Sequence, residues 1–162
     1  MASPGTSLQR PKIPAEELIA LDSVRTLLAI VWLIGGGAVL LILVVQSLLS
    51  AYGTLTQEAW GWFLPTLMPT MGMIIAVLTY TALDPMTSGS VVRRSFFGIA
   101  MALSIAYLVL VSLTILIQPF VTSSPDGRVG LMRTSNLWLG PVQGLVASAL
   151  GVLFVSRQKE EG

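Results

Sequence analysis

The sequence predicts an all-α integral membrane protein, a compact bundle of four transmembrane helices that reads as two repeated helical hairpins. Three observations carry this expectation. Of the 162 residues, 54% are hydrophobic and only 10% are charged, whereas a soluble domain usually carries about 25% charge. The apolar residues are gathered into four runs, each long enough to cross a bilayer. Short, turn-rich segments join those runs, and the mean hydropathy is +0.81.

Residues 1–22 read as an N-terminal cytoplasmic tail. MASPGTSLQRPKIP has no periodic apolar pattern. From Pro14, PAEELIALDSV predicts a short interfacial helix: proline suits the first turn, and Glu16 and Glu17 suit the positive end of the helix dipole. Leu18, Ile19 and Leu21 would then lie at the headgroup boundary.

Residues 23–156 form the expected membrane domain, with spans at about 26–51, 61–83, 95–121 and 136–155, before a cytoplasmic tail at 157–162. The first span is far longer than a signal-peptide core of about 7–15 residues, and it starts late, so it is expected to be retained. Gly35, Gly36 and Gly37 in its middle point to close approach by a neighbouring helix. The next connection, YGTLTQEAW, is short enough to make spans one and two antiparallel neighbours. Thr54 followed by Gln57 has capping-box spacing, and Thr56 is a second candidate cap.

Trp60 and Trp62 open the second span at the boundary, where amphipathic rings prefer to sit. Pro65 falls in its first turns. Pro69 is deep enough to free a carbonyl and bend the helix, with Thr66 and Thr70 placed to bond the freed carbonyls. After DPMTSGSVVRR, the third span carries Gly98, Ala102 and Ala106 at spacing four. TSSPDGRVGLMRTS reads as the longest connection, with SPDG as a turn. The fourth span carries Gly140, Gly144 and Ser148 at the same spacing, beside Ala147 and Gly151. Small residues at this spacing let backbones approach closely. The two stripes are therefore expected to face each other or another subunit.

A faint repeat supports the hairpin plan. Trp62 and Pro65 recur as Trp138 and Pro141, Gln46 recurs as Gln118, and Val24-Arg25 recurs as Val92-Arg93. Two hairpins in the same orientation would form a parallel repeat.

Composition removes several function classes. The net charge of +1 offers no basic face for nucleic acid, and the absence of Cys and His removes disulfides, thiol chemistry, most zinc sites and the usual neutral-pH proton carrier. No acid, lysine or arginine falls inside a span, so no carboxylate pair exists at depth, and no phosphate-binding loop is present. Neither a catalytic residue nor a cofactor or metal site is expected. Ion-coupled transport usually places an acid near the midplane. The four-helix small multidrug transporters depend on such a glutamate, which no span here has.

The leading expectation is thus a non-enzymatic, membrane-embedded subunit or anchor for partner proteins. It would contact membrane lipids and form a homo-oligomer or a small complex with another protein. A channel or pore-forming effector is the alternative, and a small uncoupled transporter or lipid-binding protein is the second.

Two expectations concern orientation and depth. Seven basic residues (Arg10, Lys12, Arg25, Arg93, Arg94, Arg157, Lys159) fall on one side of four spans and two, Arg128 and Arg133, on the other. The positive-inside rule then places both termini in the cytoplasm, with the plasma (inner) membrane as the expected location. Gln46, Thr66, Thr70, Gln118 and Gln143 are expected in one polar layer in the outer half, with Pro69 as a hinge. Below it, an apolar inner half containing Tyr80 and Tyr107 would act as a seal.

Overall fold

In the computed structural model, residues 18–83 and 91–155 are described, with the side chains of residues 80–83 and 155 excepted. The predicted start of a helix at Pro14, the first seven residues of the connection DPMTSGSVVRR, and Arg10, Lys12, Arg157 and Lys159 all lie outside the described residues, as does the side chain of Tyr80.

The chain is mostly helical. Its elements are β1 (Leu18–Ala20), α1 (Leu21–Leu48), a 3-10 turn (Gly53–Leu55), α2 (Thr56–Leu83), β2 (Val91–Arg93), α3 (Arg94–Leu116), α4 (Gln118–Val121) and α5 (Pro125–Val155). Four of the helices are long and apolar enough to cross a membrane. Each long helix packs chiefly against two others, so that α1, α2, α5 and α3 close a ring. Leu28, Trp32 and Leu43 of α1, Phe63 and Leu67 of α2, Tyr107 and Val111 of α3, and Leu139 and Leu150 of α5 fill the middle.

The ring order bears on the repeat. In this order α1 lies diagonally across from α5, and α2 across from α3. A two-fold axis along the ring would exchange diagonal helices, yet consecutive spans alternate in direction and α1 is antiparallel to α5. The hairpins therefore lie side by side, α1 beside α3 and α2 beside α5, without that two-fold.

The expected helix over Leu18–Ala20 is instead an extended strand. β1 pairs antiparallel with β2 in the register Leu18↔Arg93, Ile19↔Val92, Ala20↔Val91. Its partner lies far along the chain, so local propensity could not reveal it; Ile19, Val91 and Val92 are the β-branched residues that suit it. This small sheet ties together the N-terminal ends of α1 and α3.

Helix ends moved for identifiable reasons. The α1 helix closes with Ala51 N–H bonding the Gln46 carbonyl at 2.9 Å and Ser50 N–H bonding the Ser47 carbonyl at 3.1 Å. That paired pattern needs a left-handed residue, and Ser50 occupies it at φ 55°. Thr56 does not cap α2; its hydroxyl donates to the Gly53 carbonyl at 2.9 Å. The third span stops at Leu116, five residues before the expected end at Val121, because Pro119 has no N–H with which to continue the ladder. The largest difference is SPDG, which begins a helix rather than a loop. Ser124 Oγ accepts from Gly127 N–H at 3.1 Å, and Pro125 takes the first helical position, where a missing N–H costs nothing. The fourth span thus starts at Pro125, not near Asn136, and the supposed loop forms its first turns.

Candidate functional site

One polar contact joining α2, α3 and α5 is built on proline chemistry. Helix α2 runs unbroken through Pro65 and Pro69. An α-helical carbonyl is bonded by the N–H four residues later, so Pro69 leaves the Pro65 carbonyl without its ladder partner. Gln143 of α5 fills the gap: its Nε2 donates to the Pro65 carbonyl at 3.2 Å and to the Thr66 carbonyl at 3.1 Å. Tyr107 of α3 donates its hydroxyl to the same Thr66 carbonyl at 2.7 Å. One turn of α2 thereby holds α3 and α5 together. Thr66 and Thr70 are buried there, but the Thr66 hydroxyl donates to the Trp62 carbonyl at 2.6 Å rather than to a carbonyl freed by proline. Pro69 itself is exposed.

A second polar group sits at the end of the ring where α1 leads into α2. Tyr52 is fully buried and donates to Gln46 Oε1. Burial pushes the Tyr52 hydroxyl up to about 12, with the positive charge of Arg128 pulling the other way. Arg128 Nη1 donates to the Ala51 carbonyl at 2.8 Å. The Trp60 and Trp62 indole N–H groups donate to Ser47 and Ser135 of neighbouring helices, each at 3.1 Å. Arg133 pairs with Glu58. At the opposite end, Arg25 is buried, and its guanidinium donates to the Leu153 carbonyl at 3.0 Å and the Phe154 carbonyl at 3.3 Å. These are among the last carbonyls of α5, and a cation there also complements the negative end of the dipole.

The expected single polar layer is therefore two levels. At about 1.5 Å per residue, Gln46 lies about 3 Å from the end of α1, whereas Thr66 lies about 15 Å into α2. Tyr107, assigned to the apolar seal, belongs to the deeper level with Thr66 and Gln143. Gln118 joins neither: it is buried at the head of α4, and neither amide atom has a partner among the described residues.

The small-residue stripes do not meet within the chain. Gly98, Ala102 and Ala106 of α3, and Gly140, Gly144 and Ser148 of α5, are all exposed. A Cβ built on Gly98, Gly140 or Gly144 meets nothing within 4 Å. The close approach inside the ring comes from the glycine triplet instead. A Cβ on Gly35 would stand 2.8 Å from Leu108 Cδ1, and one on Gly36 would stand 2.8 Å from Met71 Sδ. Among the described residues no group of His, Cys, Asp and Glu is placed to hold a metal.

The chain matches no protein family, characterised protein or solved structure with which it was compared. Its function has to be read from this geometry.

What sequence reasoning missed here are the donors, Tyr107, Gln143 in its actual role, and Arg25. One signal was available. Pro69 names the orphaned carbonyl, Pro65, by simple i−4 counting. Nothing in the sequence says which neighbouring helix supplies the donor.

Proposed function

We propose that this chain is a non-enzymatic, membrane-embedded subunit or anchor, whose four spans form a bundle in the plasma (inner) membrane with both termini cytoplasmic. It binds its partner, a second copy or another membrane protein, through the outward faces of α3 and α5. The open space at Gly98, Gly140 and Gly144 carries this reading. Those positions present bare backbone on the outside of the ring, the surface on which close helix packing stabilises association in lipid. The interior supports it too. Tyr107, Gln143 and Arg25 are committed to holding helices together, which suits a rigid scaffold better than a polar conduit.

Gly144→Leu and Gly98→Leu are the test. Both side chains enter open space, so thermal stability of the isolated chain should hold while oligomer size, or yield of a co-purifying partner, falls. Gly36→Leu, which collides with Met71, should instead lower stability itself. Unchanged assembly in both outward variants, together with no cross-linked product from Gly144→Cys in native membranes, would end the proposal.

A further inference from the structure

Seven hydroxyls inside the helices are accounted for in one way. Thr26, Thr66, Thr79, Ser112, Thr114, Thr134 and Ser148 each donate to the carbonyl four residues earlier, the usual refuge of a helical hydroxyl in an apolar setting. Ser104 is different. It is fully buried on the inward side of α3, among Ala100, Tyr107 and Leu108, and its Oγ has no partner among the described residues. The Trp32 indole of α1 is also fully buried, and among the described residues its Nε1 has none either.

These two unpaired groups lie at one level. Ser104 is about 15 Å along α3 and Trp32 about 16 Å along α1, counting about 1.5 Å per residue from each N-terminus, and the β1–β2 sheet ties those N-termini together. Tyr107, one turn beyond Ser104 on the same face, brings its ring to 5.8 Å from the Trp32 ring. An indole N–H can only donate, whereas a hydroxyl can donate and accept. Left dry in a membrane interior, both would forfeit hydrogen bonds that no solvent could replace. Ordered water is the common partner of such buried groups.

We propose that α1 and α3 enclose a site for one small hydrogen-bonding molecule, water in the cell, that accepts from Trp32 Nε1–H and bonds Ser104 Oγ. It extends the polar interior inward from the Tyr107–Thr66–Gln143 contact and links α1 to it, so the half of the ring below that contact is not a dry seal. The inference does not rest on the proposed function.

The experiment is magnetisation transfer from water to the indole N–H protons of the full chain in perdeuterated detergent, with the Trp32 signal assigned by Trp32→Phe. A bound water gives a direct water cross-peak at the Trp32 indole, and Ser104→Ala removes it. Ser104→Cys, close in size but a poor hydrogen-bonding group, serves if the alanine variant does not fold, and should remove it as well. No cross-peak in the parent overturns the proposal. So does a cross-peak that survives the loss of the hydroxyl, or a Trp32 indole bonded directly to Ser104.

Discussion

Replacing Gln143 by leucine tests the contact that joins α2, α3 and α5. The substitution keeps the apolar volume roughly constant and removes the Nε2 that donates to the Pro65 and Thr66 carbonyls at 3.2 and 3.1 Å. The two carbonyls differ in what remains. Thr66 keeps the Tyr107 hydroxyl, whereas Pro65 loses the donor that stands in for the missing N–H of Pro69. An interhelical side-chain hydrogen bond in a membrane averages about 0.6 kcal/mol and reaches about 1.7. Leaving an acceptor unsatisfied away from water costs about 1–3 kcal/mol. The lower parts of these ranges apply, because Gln143 is only half-buried, so the expected loss is about 1.5 kcal/mol.

Pro69→Ala sharpens the test. Alanine restores the N–H, the Pro65 carbonyl regains its ladder bond, and Gln143→Leu in that background should cost only about 0.5 kcal/mol. The double-mutant cycle therefore predicts a coupling of about 1 kcal/mol between residues on different helices. Helical circular dichroism during titration from bicelles into a denaturing detergent supplies the free energies for all four proteins. Equal cost of Gln143→Leu in both backgrounds would falsify the idea that Gln143 substitutes for the proline's missing donor.

Two further predictions follow from the ends of the ring. Single cysteines at Gly53 and Gly127 should react with an impermeant thiol reagent on intact cells and one at Gly89 should not; labelling at Gly89 would reverse the proposed orientation, and the absence of native cysteine makes the readout clean. The buried Tyr52 hydroxyl, held protonated to about 12, stabilises the folded chain fully below its unfolded value near 10 and loses that contribution as pH rises through about 12. Thermal stability should accordingly fall between pH 10 and 12, and Tyr52→Phe should flatten that fall; an unchanged slope in the variant would place the titration elsewhere.

Much of this architecture is written in local chemistry. The four apolar runs and the short turn after α1 depend on residues close together in the chain, and they were legible as such. Ser124, Pro125, Asp126 and Gly127 show where local reading becomes ambiguous, since the same residues signal a turn and a helix start. Whether a helix follows is decided by what covers it, here the packing of Val129 and Met132 into the core. The pairing of β1 with β2, the ring order of the helices and the donors at the Pro65 and Thr66 carbonyls depend on residues far apart in sequence. The stripes make the same point. Spacing alone puts Gly98, Ala102 and Ala106 on one face of α3, and Gly140, Gly144 and Ser148 on one face of α5. Only the tertiary structure could decide that those faces turn outward, because helix rotation is set by which side buries the larger side chains, and on α3 that side belongs to Tyr107, Leu108 and Val111.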